Sequence, residues 1–241
     1  MFKRSKTAQS VNPEQAEELS LQITHDSPAY TFPPHVVDSL RHMTSWLMRD
    51  RPMSASTALI ATLPEEGVTY SALALATTLA HDLPGNICVV ELNWYRPGMK
   101  TILGEFSSPG LAARFTDNTP TEQLVVTTTT PNLALIPAGD LPARQRTIVA
   151  RSSQLRDTIG ELGKLFNYVV LDIPAITLTS DAIPLATLAG DCLLVIRQGV
   201  TPLSEVKHAL ADMDHVHVLG VILNKTHYDL PKRLYGLAQT P

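Results

Sequence analysis

The chain has 241 residues, of which 44% are apolar, and it carries a net charge of −4. That is material for one sizeable α/β core, without the basic surplus that nucleic-acid binding requires. No stretch is long and apolar enough to cross a bilayer, and the two cysteines, Cys88 and Cys192, sit in apolar runs, as buried thiols of a reducing compartment rather than a disulfide or metal pair.

In chain order, residues 1–35 are polar and punctuated by proline. Asn12 and Pro13 are a helix start, an N-cap followed by a first-turn proline, and predict a short helix to about Gln22. Three prolines between 27 and 35 read as a linker. This divides the chain into an arm, 1–35, and a domain, 36–241. The start of the arm is basic but no apolar signal core follows it, which points to a cytoplasmic protein.

Apolar residues at 36, 37, 40, 43, 47 and 48 follow helical spacing and predict an amphipathic helix packed on the domain. From 57 onward, apolar strand-like runs at 58–61, 87–90, 133–136, 168–171, 192–196 and 219–223 alternate with helical runs at 71–81, 152–165 and 203–213. The strands are continuous in Val, Ile and Leu, as in strands buried on both faces. The fold class is therefore α/β: a doubly wound, mainly parallel sheet flanked by helices, with a short N-terminal extension. Thr127 to Thr130 read as a loop or an edge strand.

In such sheets ligands sit at the carboxyl ends of the strands, and the polar motifs fall there. Pro64-Glu65-Glu66-Gly67-Val68-Thr69-Tyr70 joins the first of these strands to a helix of small residues. A glycine turn before a helix N-terminus is the geometry that cradles phosphates, although one glycine there is a weak signal. The functional form of that loop ends Gly-Lys-Ser/Thr; here Gly67 and Thr69 are present and Val68 stands in the lysine's place. The strand ending at 90 runs into Glu91, Asn93, Tyr95, Arg96 and Pro97, where the last two also fit a plain turn. The strand ending at 171 runs into Asp172, which either works on a ligand or holds a loop. Ser180-Asp181 precedes an apolar run and reads as a helix cap. Asn224, after the last strand, is either a ligand contact or a turn residue. The eight histidines show no metal-ligand spacing; His215 and His217 alternate at a strand start.

This ordered set resembles the bacterial tyrosine kinases of capsule and exopolysaccharide systems, a branch of the MinD/ParA-type P-loop ATPases, over residues 36–226. The resemblance implies a P-loop fold. It also implies a nucleotide site built from Glu66, Gly67, Thr69, Arg96 and Asn224, with Thr69 and Asp172 as the Mg²⁺ ligands. Its catalytic positions fall on Glu91, Asn93 and Asp172, and the family's loop lysine falls on Val68. Where the family's loop has glycine this chain has Glu65, and Leu63 stands where MinD/ParA relatives carry a further lysine. Like charges ~4 Å apart repel by about 4 kcal/mol at an effective dielectric near 20, so Glu65 opposes a phosphate. Glu91 moves its carboxylate outward, and Asn93 cannot act as a base.

The family's ring-forming Glu-x-x-Arg-x-x-Arg segment survives only as Asp38 and Arg41, with Thr44 at the third position. Its acceptor-tyrosine cluster is reduced to Tyr228 and Tyr235. The joint losses imply a catalytically degenerate scaffold or regulator of exopolysaccharide or envelope-polymer synthesis and export. Its partner would be a membrane co-polymerase or an intact homologue, met at the inner membrane through that partner, and no cofactor is expected. Two alternatives stay open: a residual binder of ATP or ADP with Mg²⁺, or a positioning protein of a secretion, pilus or cellulose system. Homo-oligomerisation is left undecided.

Overall fold

The apolar runs form strands because each side chain finds a helix layer on its own face of the sheet. The computed structural model describes residues 18–49 and 54–226. The elements are β1 (Leu19–Leu21), β2 (Tyr30–Phe32), α1 (Pro34–Leu47), β3 (Ser56–Ala61), α2 (Val68–Asp82), β4 (Ile87–Glu91), α3 (Met99–Leu103) and α4 (Ala113–Thr116). After them come β5 (Val126–Thr127), β6 (Leu133–Ile136), α5 (Ala143–Ala150), α6 (Ser153–Leu165), β7 (Tyr168–Asp172), α7 (Ala182–Ala186), β8 (Asp191–Arg197), α8 (Leu203–Asp212) and β9 (Val218–Asn224).

Seven strands make one sheet in the order β5-β6-β4-β7-β3-β8-β9, and β1 pairs with β2 in a separate antiparallel ribbon. Within the large sheet only β5–β6 is antiparallel. The chain leaves β3, passes to β4 and β6, and returns to place β7 between β3 and β4. That return brings three carboxyl ends together, with Leu59 and Glu91 both in register with Asp172. The crevice at such a reversal is where an open α/β sheet binds ligands.

α2 is the central helix. All ten residues from Ser71 to Ala80 are buried, so the helix has no solvent face to make polar. Its inner side packs on Leu59, Val89, Val170 and Val195 of the sheet, and its outer side is covered by α1 and the β1–β2 ribbon, through Val37, Leu40, Leu21 and Phe32. Tyr70, in the first turn of α2, meets Phe32 and Tyr30 edge-on at centroid distances of 5.6 and 6.2 Å, and Tyr30 and Phe32 lie 5.4 Å apart. At the other end of α2, Arg41 of α1 holds Asp82 through two parallel bonds of 2.9 and 3.0 Å. Its ion pair with Asp38 is longer, at 3.7 Å. Arg41 is thus engaged within the chain.

The expected strands and helices of the domain are all present, Thr127 lies in the edge strand β5, and both cysteines are buried. The arm needs correction. The helix expected to reach Gln22 is replaced over Leu19–Leu21 by a strand, and the expected linker contains its partner, Tyr30–Phe32. Leu19, Leu21 and Phe32 find apolar cover on α2, which local propensity could not register. The helix start at Asn12 and Pro13 lies outside the described residues.

Phe32 is 1% exposed, and its ring seals the outer side of α2. We expect Phe32→Ala to destabilise the protein by about 3–5 kcal/mol, and Tyr70→Phe to change stability by less than about 1 kcal/mol because it keeps the ring contacts. Urea unfolding followed by circular dichroism measures both.

Candidate functional site

The loop between β3 and α2 is shaped by two left-handed residues. Gly67 has φ +95°, which glycine adopts freely. Glu65 has φ +67°, a conformation that costs a side-chain-bearing residue about 1–2 kcal/mol. The loop thus keeps a glycine-type backbone at a position that holds glutamate. The first bond of the α2 ladder runs from the Ser71 N–H to the Gly67 carbonyl at 2.9 Å, so the amides of 67–70 face out of the helix end.

Glu66 turns inward and is 1% exposed. Its carboxylate accepts the Leu63 N–H at 2.9 Å and the Thr201 hydroxyl, bracing the loop against the segment before α8. Asn224 comes from the end of β9. Its amide donates to the Glu66 carbonyl at 2.8 Å and occupies the space that a Cβ on Gly67 would need. Glu65 points to solvent and meets Arg96 Nη1 at 3.1 Å.

Beneath the loop lie the two strand-end carboxylates. Glu91 is 1% exposed; it accepts the N–H groups of Gly98 at 2.5 Å and Met99 at 2.8 Å on one oxygen, and of Ala138 at 3.0 Å on the other. Burial raises its pKa, and the three backbone bonds pull it back. The longer side chain is used as a backbone brace, holding the start of α3 and the loop after β6. Asp172 is fully buried, and neither of its carboxylate oxygens has a hydrogen-bond partner among the described residues. Burial first and the neighbouring Glu91 second push its pKa well above the ordinary range; Thr69, close by but outside hydrogen-bond geometry, opposes them weakly. Thr69 packs on Gly98 so closely that a Cβ there would lie 2.6 Å from the threonine hydroxyl.

The segment after β4 is organised by Asn93, whose Oδ1 accepts the Arg96 N–H at 3.1 Å, and by the buried Trp94, whose indole donates to the Ala138 carbonyl at 2.9 Å. Tyr95 donates to Asp181 at 2.5 Å. Asp181 also accepts from Thr147 at 2.8 Å and Arg151 at 3.3 Å. It stands at the N-cap position of α7, but its side chain does not cap that helix, which corrects the capping role read from Ser180-Asp181. The anchoring roles of Trp94 and Asp181 depend on residues 30–90 positions away in the chain and left no local signal.

Glu66, Gly67, Thr69 and Arg96 line one pocket of about 460 Å³, together with Glu65, Val68 and Asn93. Asn224 lines an adjoining pocket of about 540 Å³ that shares Gly67 and Tyr70 with the first. Glu91 and Asp172 are buried below and line neither. As donors, the Thr69 hydroxyl and the orphaned Asp172 carboxylate are hard oxygens of the type that suits Mg²⁺. The anion side fits less well, because the loop's own cation is missing at Val68 and Arg96 is already paired. Among the described residues no group of three or more His, Cys, Asp or Glu side chains converges on a metal position. His217 pairs with Asp191 at 2.8 Å. Tyr228 and Tyr235 lie outside the described residues.

No protein-family model matches the chain. A tyrosine-protein kinase of Acinetobacter johnsonii is 24% identical over 163 residues, 67% of this chain and 22% of that protein. The putative tyrosine-protein kinase CapB of Staphylococcus aureus is 24% identical over 220 residues, covering 90% of this chain and 94% of CapB. The succinoglycan biosynthesis transport protein ExoP of Rhizobium meliloti is 28% identical over 173 residues, 70% of this chain and 22% of ExoP. The relatives that the chain matches are bacterial tyrosine kinases and a succinoglycan transport protein.

The fold agrees. The chimerical protein CapA2B2 superposes with a TM-score of 0.73 at 19% identity, over 79% of this chain and 85% of that one. The septum site-determining protein MinD of Pyrococcus horikoshii, solved with Mg-ADP, gives 0.60 at 17% identity, over 75% of each chain. The α/β fold of the MinD/ParA-type P-loop group is thereby established. The chain spans less than a quarter of the Acinetobacter kinase and of ExoP but nearly all of CapB. Among the described residues no helix is long and apolar enough to cross a membrane.

Glu91→Ala leaves three buried amides without an acceptor, and we expect it to destabilise the fold by at least about 3 kcal/mol, read from the denaturant midpoint. Asp172 behaves oppositely. Its raised pKa means that the native state holds a proton more tightly than the unfolded chain, so stability is lost as pH rises from the unfolded value near 4 through the folded one. Asp172→Asn should therefore raise the melting temperature at pH 7 and flatten its decline above about pH 4, which a pH series of thermal melts checks.

Proposed function

We propose that this chain is a catalytically silent relative of the bacterial tyrosine kinases, serving as a scaffold or regulator in the synthesis and export of an exopolysaccharide or other envelope polymer. The observation that carries this reading is Val68 in the place of the phosphate-binding lysine, at the head of a loop that otherwise keeps its turn. Without an ammonium there, the β- and γ-phosphates have no neutralising group from the loop itself.

Three further features point the same way. Arg96 is paired with Glu65, Glu91 spends its oxygens on backbone amides, and Asn93 has no basic atom. A general base needs reach and a suitable pKa, and neither Glu91 nor Asn93 supplies both. The working partner is a protein of the envelope assembly, a membrane co-polymerase or an intact homologue, since relatives such as ExoP are named for that biosynthesis. On this reading the chain acts at the cytoplasmic face, reaches the membrane through that partner and needs no cofactor.

One observation favours a second reading, residual nucleotide binding. The orphaned Asp172 beside Thr69 is the donor pair that Mg²⁺ would use. Calorimetric titration with Mg·ATP separates the two. The scaffold reading predicts no binding at up to about 1 mM nucleotide, hence a dissociation constant weaker than about −4 kcal/mol corresponds to, and no ATP hydrolysis above background. Micromolar binding that Asp172→Ala weakens would establish the second reading instead.

A further inference from the structure

The contact between Arg96 and Glu65 joins the β3–α2 loop to the segment after β4. The guanidinium Nη1 lies 3.1 Å from the carboxylate, with 56% and 78% of the two side chains exposed. Pairs this exposed add little to fold stability, so its consequence lies with ligands. Arg96 is one of two cations lining the pocket, Lys225 at the junction with the adjoining pocket being the other. Glu65 neutralises the first and sets a negative charge beside the outward amides of α2, which form the positive end of that helix.

The backbone points the other way. Glu65 holds φ +67° and Gly67 φ +95°, so the loop keeps its glycine-type path although one position is no longer glycine. Glu66 and Asn224 pin that path from two sides, with bonds to the Leu63 amide, the Thr201 hydroxyl and the Glu66 carbonyl. Thr69 remains in the first turn. The shape of an anion cradle is thus retained while its positive charge is cancelled, and the two side chains at 65 and 68 carry that loss.

We propose that the Glu65–Arg96 pair is an autoinhibitory plug in an otherwise preserved polyphosphate seat, and that Glu65 and Val68 together form the whole barrier to binding. The plug rests on the reading that the natural chain binds no nucleotide. Removing Glu65 frees Arg96 and relaxes the left-handed turn, and a lysine at 68 supplies the missing charge.

The test is calorimetry on the full chain, with inorganic tripolyphosphate and Mg·ATP as separate probes. Tripolyphosphate reports on the phosphate seat alone, without the adjoining pocket. Glu65→Gly with Val68→Lys should bind tripolyphosphate at least a hundredfold more tightly than the natural chain, with affinity falling as salt rises. Glu65→Asn with Val68→Lys, in which asparagine tolerates the left-handed turn, should do the same if the glycine variant folds poorly. A folded double variant within threefold of a silent natural chain overturns the plug and leaves the scaffold reading intact. Micromolar binding of Mg·ATP by the natural chain overturns the scaffold reading and the plug with it.

Discussion

A triphosphate held in a partly dry cleft needs positive charge within a few ångströms, and the whole functional account turns on how this cleft withholds it. Coulomb energies that are minor in water grow several-fold near a protein surface. A loop that offers amides alone therefore differs in kind from one that also offers an ammonium. Here the loop offers its amides, Val68 carries no charge, and the nearby guanidinium is tied to a carboxylate on the loop itself. The architecture around the loop is otherwise that of a nucleotide-binding sheet, down to the strand reversal that opens the crevice.

The loops around the cleft are held by the chain's own groups. The Glu66 carboxylate closes the loop, the Asn224 amide lies over Gly67, and the Glu91 carboxylate gathers three amides from two separate segments. These are buried or half-buried bonds to backbone, the kind whose loss leaves unsatisfied donors. They hold the loops in one arrangement. Asp172 is the exception. It is buried with no hydrogen-bond partner among the described residues, and burial beside Glu91 makes its charged form costly. A carboxylate in that state costs the fold stability.

The central sheet was legible because its signal is local: continuous apolar runs between turn residues, with the small-residue helix after the first. The loop motif was legible for the same reason, and so were the departures at Glu65 and Val68. The β1–β2 ribbon was not, because three-residue strands carry too few side chains to show a period, and what fixes them is Tyr70 and the outer side of α2. The use of Glu91 was equally hidden. Its partners at 98, 99 and 138 come together only once β6 has paired with β4. The Glu65–Arg96 pair joins two loops across the crevice, and loops have no periodicity from which a meeting could be inferred. Asp181 carried a misleading signal, since it sits where a cap would sit while its carboxylate is claimed by Tyr95, Thr147 and Arg151.

The most direct measurement of the central claim is hydrogen exchange at the amides of residues 67–70, with and without Mg·ATP. These amides would grip a phosphate, and they sit at the open end of α2. If the seat is closed to anions by its own charges, their exchange is unchanged by millimolar nucleotide. Slowing confined to these four amides on adding Mg·ATP would contradict the account.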